Sequence, residues 1–93
     1  MANVEVVFAV YGALVGGYSR AVDTTDRLQK LLNDNPTKIV KIDNESMDPT
    51  GILASVTEGL EKHFAAIVKH ENGMELPFAC QEGQTIDFSR RIP

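Results

Sequence analysis

Three side chains with the makings of a nucleophilic site lie in the second half of the chain: His63, Cys80 and Glu82. A thiol beside an imidazole, itself oriented by a carboxylate, is the arrangement that activates a cysteine. A hairpin is what would bring them together. Residues 62–71 and 74–81 flank Asn72-Gly73, the strongest two-residue turn signal. A two-residue loop predicts Glu71 opposite Met74, Ile67 opposite Phe78 and Ala65 opposite Cys80. His63 then falls opposite Glu82 and diagonal to Cys80, at the roughly 7–8 Å separation of diagonal cross-strand neighbours. With Ala65 and Phe78 around it, Cys80 also fits a small core hydrophobe, as free cysteines commonly do. We expect that role, and assign no catalytic residue.

Metal and phosphate chemistry find less support. His63 and His70, seven apart in one strand, point to opposite faces and cannot grip one ion together. Zinc sites need about four convergent ligands, and the chain has one cysteine. Asp43, Asn44, Glu45 and Asp48 form an oxygen-rich loop, but Met47 stands at the fifth position of an EF-hand pattern and no glycine follows. There is no Walker-type lysine loop and no GxGxxG after the first strand. No metal or cofactor is expected. The residues left as candidate ligand or partner contacts are Tyr11, Tyr18, Asp48 and His63.

The elements that must position these groups follow from periodicity. Val4 to Tyr11 (VEVVFAVY) is rich in β-branched and aromatic residues, with Val4, Val6, Phe8 and Val10 on one face and Val7, Ala9 and Tyr11 on the other. Apolar residues on both faces predict a central strand, ended by Gly12 and then Gly16-Gly17. Tyr18 to Val22 reads as a second strand. Asp23-Thr24-Thr25-Asp26 supplies capping oxygens and first-turn negative charge, and Leu28, Leu31 and Leu32 make one apolar helical stripe. Asn35-Pro36 ends that helix. Lys38 to Asp43 predicts a strand with Val40 and Ile42 inward, and Asn44 to Gly51 a polar loop. Ile52, Val56 and Leu60 recur at i, i+4, i+8, which predicts a second helix over 52–61. A turn at 81–84 and a last strand, Thr85 to Phe88 with Ile86 and Phe88 inward, follow the hairpin.

The 93 residues carry 13 acidic against 9 basic side chains, a net charge of −4. Nucleic-acid binding rests on a basic surface that displaces phosphate counterions, so it is not expected. Neither is membrane insertion, because no apolar run approaches the roughly 18 residues of a span. No basic stretch precedes an apolar one at the N-terminus, so no signal peptide is read. A lone cysteine suits a reducing compartment, and the expected location is cytoplasmic. With no repeat or linker, residues 1–93 read as one domain.

Several landmarks fall in a familiar order: Tyr11-Gly12, Val22-Asp23-Thr24-Thr25 before Leu28-Gln29 and Leu31, Asp48-Pro49 before Gly59-Leu60-Glu61-Lys62, and Glu82 before Ile86. Over Val4 to Phe88 this pattern resembles the uncharacterised C-terminal domain of the mitochondrial DnaJ homologue subfamily C member 11 family. It also resembles small stand-alone bacterial proteins with the same pattern, whose ending is similar to FACQEGQTIDF, Phe78 to Phe88. The segment Ile52 to Gly59 is longer than that family's spacing. The His-Pro-Asp tripeptide of a J domain does not occur, so co-chaperone activity is not implied. What the resemblance implies is a non-catalytic interaction module, with no binding residue attached to it.

The expected architecture is α+β, an antiparallel-rich sheet of five or six strands with one or two helices. The start is β-grasp-like, and a β-sandwich with a helix is the alternative. The expected function is a small binding or structural module, self-associating or docking a protein partner, with an unpaired sheet edge as its surface. A sugar- or metal-ion-binding protein and a cysteine-dependent enzyme are the alternatives.

Overall fold

The β-branched run after Val4 forms the central strand of the fold, β1 (Val4–Val15). The computed structural model describes residues 4–53 and 56–89. β1 does not stop at Gly12 as its glycine predicts. Gly12 lies opposite Ala21 on one side and His63 on the other, and a Cβ there would overlap the Arg20 carbonyl oxygen and the Ala21 Cα. Glycine at this position therefore lets the neighbouring strand approach; it does not end the element. The reversal comes at Gly16-Gly17, with φ of 56° and 88°, the two positive angles of a type I′ turn. β2 (Tyr18–Asp23) then returns along β1.

The first helix, α1 (Thr25–Asp34), starts where Asp23 accepts the Thr25 amide at 2.9 Å and its hydroxyl at 2.6 Å. Leu28 and Leu32 are fully buried, as the helical stripe predicts. One helical residue also finishes the sheet. β2 ends before it reaches the N-terminal part of β1, and there the Gln29 side chain takes the place of a strand. Its Oε1 accepts the Val6 amide at 2.7 Å and its Nε2 donates to the Val4 carbonyl at 3.0 Å. The Thr25 hydroxyl accepts the Ala9 amide at 3.0 Å.

β3 (Ile39–Lys41) directs Val40 inward, and Ile42 beyond it is buried too. The loop after it contains one helical turn, α2 (Asn44–Met47), held by a reciprocal cap: Asp43 accepts the Ser46 amide at 2.9 Å and the Asp43 amide donates to Ser46 Oγ at 3.1 Å. The helix predicted over 52–61 is absent among the described residues there, which form turns and bends. Ile52, Val56 and Leu60 are all exposed, and among the described residues of this stretch Leu53 and Thr57 are buried. The apolar stripe has no surface to pack on, and Gly51 and Gly59 sit at positive φ.

β4 (His63–His70) and β5 (Glu75–Gln81) make the predicted hairpin, one register step from the expected pairing. Ile67 lies opposite Pro77, Ala65 opposite Ala79, and Phe64 opposite Cys80. The loop has three residues, Glu71-Asn72-Gly73. It is closed by His70 N–H to the Met74 carbonyl at 2.9 Å and Gly73 N–H to the His70 carbonyl at 2.8 Å, with Gly73 at φ 86°. The physical reason is the core. This register turns Leu76, Phe78 and Cys80 to the side of Phe64, Ala66 and Val68, whereas the two-residue loop would have turned Pro77, Ala79 and Gln81 there.

β6 (Thr85–Asp87) pairs with β3 as a separate two-stranded sheet, while the main sheet is antiparallel in the order β2-β1-β4-β5. The fold is α+β, with six strands and two helices among the described residues. The opening order of strand, glycine turn, strand, helix and strand is as read, but β3 stands outside the main sheet and β4 takes the place beside β1. One face of the main sheet is covered. Leu28, Leu32, Val40, Ile42, Met47 and Phe88 pack under it, and the Phe88 ring lies 4.9 Å from Phe78 and 6.2 Å from Phe64.

A bulge decides which side chains reach that core. Val6 pairs with Val68 and Phe8 with Ile67, so Val7 is an extra residue in β1. Before it Val4 and Val6 point inward. After it the inward side chains are Ala9 and Tyr11, and Phe8 and Val10 are turned out. The expected single face of Val4, Val6, Phe8 and Val10 is thus split between the two sides.

Candidate functional site

The four contact candidates do not converge. Tyr11 is fully buried on the covered side, its hydroxyl donating to Asn44 Oδ1 at 2.7 Å. Burial drives its phenol well above the ordinary tyrosine range, and the negative charges of Glu82, Asp43 and Asp48 push it further. Asp48 is buried in the loop after α2, where its carboxylate accepts the Ile52 amide at 3.0 Å and the Leu53 amide at 2.9 Å. Tyr18 is exposed at the β1–β2 tip, 6.0 Å beneath the Arg20 guanidinium. His63 is exposed on the opposite side of the sheet from Tyr11.

The thiol, imidazole and carboxylate of the hairpin are likewise separated. The register step puts His63 opposite Gln81 and on the uncovered face, while Cys80 faces the core. Glu82 turns back to Lys62, accepting its amide at 3.0 Å and standing 3.6 Å from its ammonium. Burial raises the Cys80 thiol pKa, which keeps it protonated and weakly nucleophilic at neutral pH. Among the described residues, no group of three or more His, Cys, Asp or Glu side chains could hold a metal ion.

Lys62 is a buried charge that no pattern in the sequence singles out. With Tyr11–Asn44, Asp48 and Thr57, whose hydroxyl donates to the Leu53 carbonyl at 2.7 Å, the Lys62–Glu82 pair braces the long connection from β3 to β4. Each of these polar groups is spent on the chain's own backbone or side chains.

The uncovered face of the main sheet is different in kind. Phe8, Val10, Ala65, Ile67, Pro77 and Ala79 line a depression of about 470 Å³ on it. Phe8 is 47% exposed and Ile67 41%, and Ala65 and Ala79, paired with each other in the next row, leave a low floor beside them. At one end of this apolar area, Glu5, Lys69 and Glu75 form a row across β1, β4 and β5. Monomeric soluble proteins seldom expose contiguous apolar patches beyond a few hundred Å² unless they bind something.

The β5 edge of the sheet is less open. The alternation of bonded pairs turns the amides of residues 75, 77, 79 and 81 to the free side of β5. Pro77 has no amide to offer, and that of Gln81 donates to Gln84 Oε1 at 2.8 Å.

Comparison with protein-family models, curated proteins and solved structures finds no match to this chain. Among the described residues no helix is long and apolar enough to cross a membrane. A signal for the uncovered face was present in the hairpin strands. Apolar side chains occupy both parities of β4 and β5, as in strands buried on both sides, yet only one side is covered.

Proposed function

We propose that this protein is a small non-catalytic interaction module that docks a protein partner on the uncovered face of its four-stranded sheet. The observation that carries this is the continuous apolar surface of Phe8, Val10, Ala65, Ile67, Pro77 and Ala79. The internal use of Tyr11, Asp48, Lys62 and Glu82 supports the non-catalytic part. The resemblance to the C-terminal domain of the DnaJ subfamily C member 11 family points to the same class of function. A free, half-buried thiol is in keeping with a reducing, cytoplasmic setting.

Photo-crosslinking tests the docking face. A benzophenone side chain replacing Ile67 is expected to form protein adducts in cells, and Phe8→Asp in the same chain to abolish them. The same probe replacing Lys30, on the exposed side of α1, is the control. Equal adducts from both positions, or none from position 67, overturn the proposal.

A further inference from the structure

We infer that the occupant of the uncovered sheet face is a second copy of this chain, packed face to face about a two-fold axis that runs along the strands between β1 and β4. This rests on the docking face proposed above and names its partner. Three features of the face carry it.

The first is area. Strands about 4.8 Å apart and residues about 3.3 Å apart along them give the paired stretch of β1 and β4, with the short heights at which β2 and β5 also overlap, a shared face of about 350 Å². Two such faces bury about 700 Å² together, the size of a weak, concentration-dependent contact. Two identical sheets stacked in this way make a sandwich about 10 Å thick, a common means of covering an apolar sheet.

The second is shape. The axis keeps height along the strands and exchanges β1 with β4. Phe8 of one copy then stands over the Ile67 row of the other, and Val10 over Ala65, its partner in register. Val10 meets the low Ala65 of β4 while Phe8 packs along Ile67, and the fit repeats by symmetry, as an isologous contact requires.

The third is charge. Glu5 and Lys69 are register partners at the same height, both exposed, and among the described residues neither takes part in an ion pair. The axis places Glu5 over Lys69 of the second copy and Lys69 over its Glu5. Two reciprocal pairs form at the rim, where complementary charge sets register and orientation.

Sedimentation equilibrium of the full chain, from micromolar to millimolar concentration, reads the outcome. The expected mass is twice the 10.2 kDa of one chain. Ile67→Glu is expected to leave one-chain mass with an unchanged circular dichroism spectrum. Glu5→Lys alone is expected to weaken association about tenfold or more, and Glu5→Lys with Lys69→Glu to restore it. The charge pair lies outside the core, so this comparison stands even if Ile67→Glu fails to fold. A folded Ile67→Glu variant that still dimerises, or a double exchange that does not restore the single, overturns the inference. One-chain mass at all concentrations also overturns it. In that case adducts to a different protein at position 67 leave the docking face standing, and no adducts remove both.

Discussion

Replacing Gln29 with leucine tests the claim that a helical side chain completes the sheet. Its amide accepts the Val6 N–H at 2.7 Å and donates to the Val4 carbonyl at 3.0 Å, where no strand is available to do so. Gln29→Leu keeps the bulk and the helix propensity and removes both bonds, together with the exposed bond from Nε2 to Asn33 Oδ1 at 3.0 Å. Net hydrogen bonds contribute about 1 kcal/mol each, and the half-buried position lets water replace them in part, so the expected cost is about 1–2 kcal/mol. For a domain of this size that lowers Tm by about 4–16 °C. The assay is thermal unfolding followed by circular dichroism, with amide exchange read residue by residue. Exchange should quicken at Val6 and remain slow at Val68, which lies in the middle of the sheet. A Tm within a degree or two of the parent, or Val6 protection that survives the substitution, would refute the reasoning: the first strand would then be held by packing alone.

Three further outcomes follow from the same structure. Gly12→Ala places a Cβ against the Arg20 carbonyl and Ala21; by the cost of overpacking it should destabilise by about 1–3 kcal/mol, measured by urea denaturation. Tyr11 is raised by burial first and by Glu82, Asp43 and Asp48 after it. Since the folded-state pKa lies above the unfolded value of about 10, its stabilising contribution is full below pH ~10 and is lost as pH rises beyond it. Tyr11→Phe should cost about 1 kcal/mol near neutrality through the bond to Asn44, and unfold less steeply with alkali in a pH series of melts. Cys80, with its thiol pKa raised by burial, should react with a disulfide reagent at pH 7 much more slowly in the native protein than in urea; equal rates would place the thiol in the open.

The strands and the first helix were legible because their signals are local. The β-branched run from Val4, the Leu28, Leu31 and Leu32 stripe and the Asn72-Gly73 turn each specify an element from neighbouring residues, and the α+β class follows from their order. The apparent helix over 52–61 misled for the converse reason. Its spacing is helical, but spacing says nothing of whether a surface exists to receive Ile52, Val56 and Leu60. The candidate site was hardly legible. Tyr11 and Asp48 attract notice as isolated polar residues, and only packing reveals that the chain itself uses them.

By itself the sequence determined where strands run, where the chain turns and that one helix lies along the sheet, since backbone preference and periodicity act over a few residues. Tertiary structure decided which face each strand presents. Side-chain alternation has a period of two, so the single extra residue at Val7 and the single step in the β4–β5 register invert every assignment beyond them. Which inversion occurs depends on burying Tyr11, Phe64, Phe78 and Leu76 together, a condition that involves residues up to about seventy positions apart and that no local window contains. The same condition turned Phe8 and Ile67 outward, parted His63 from Cys80, and left one side of the sheet apolar and uncovered.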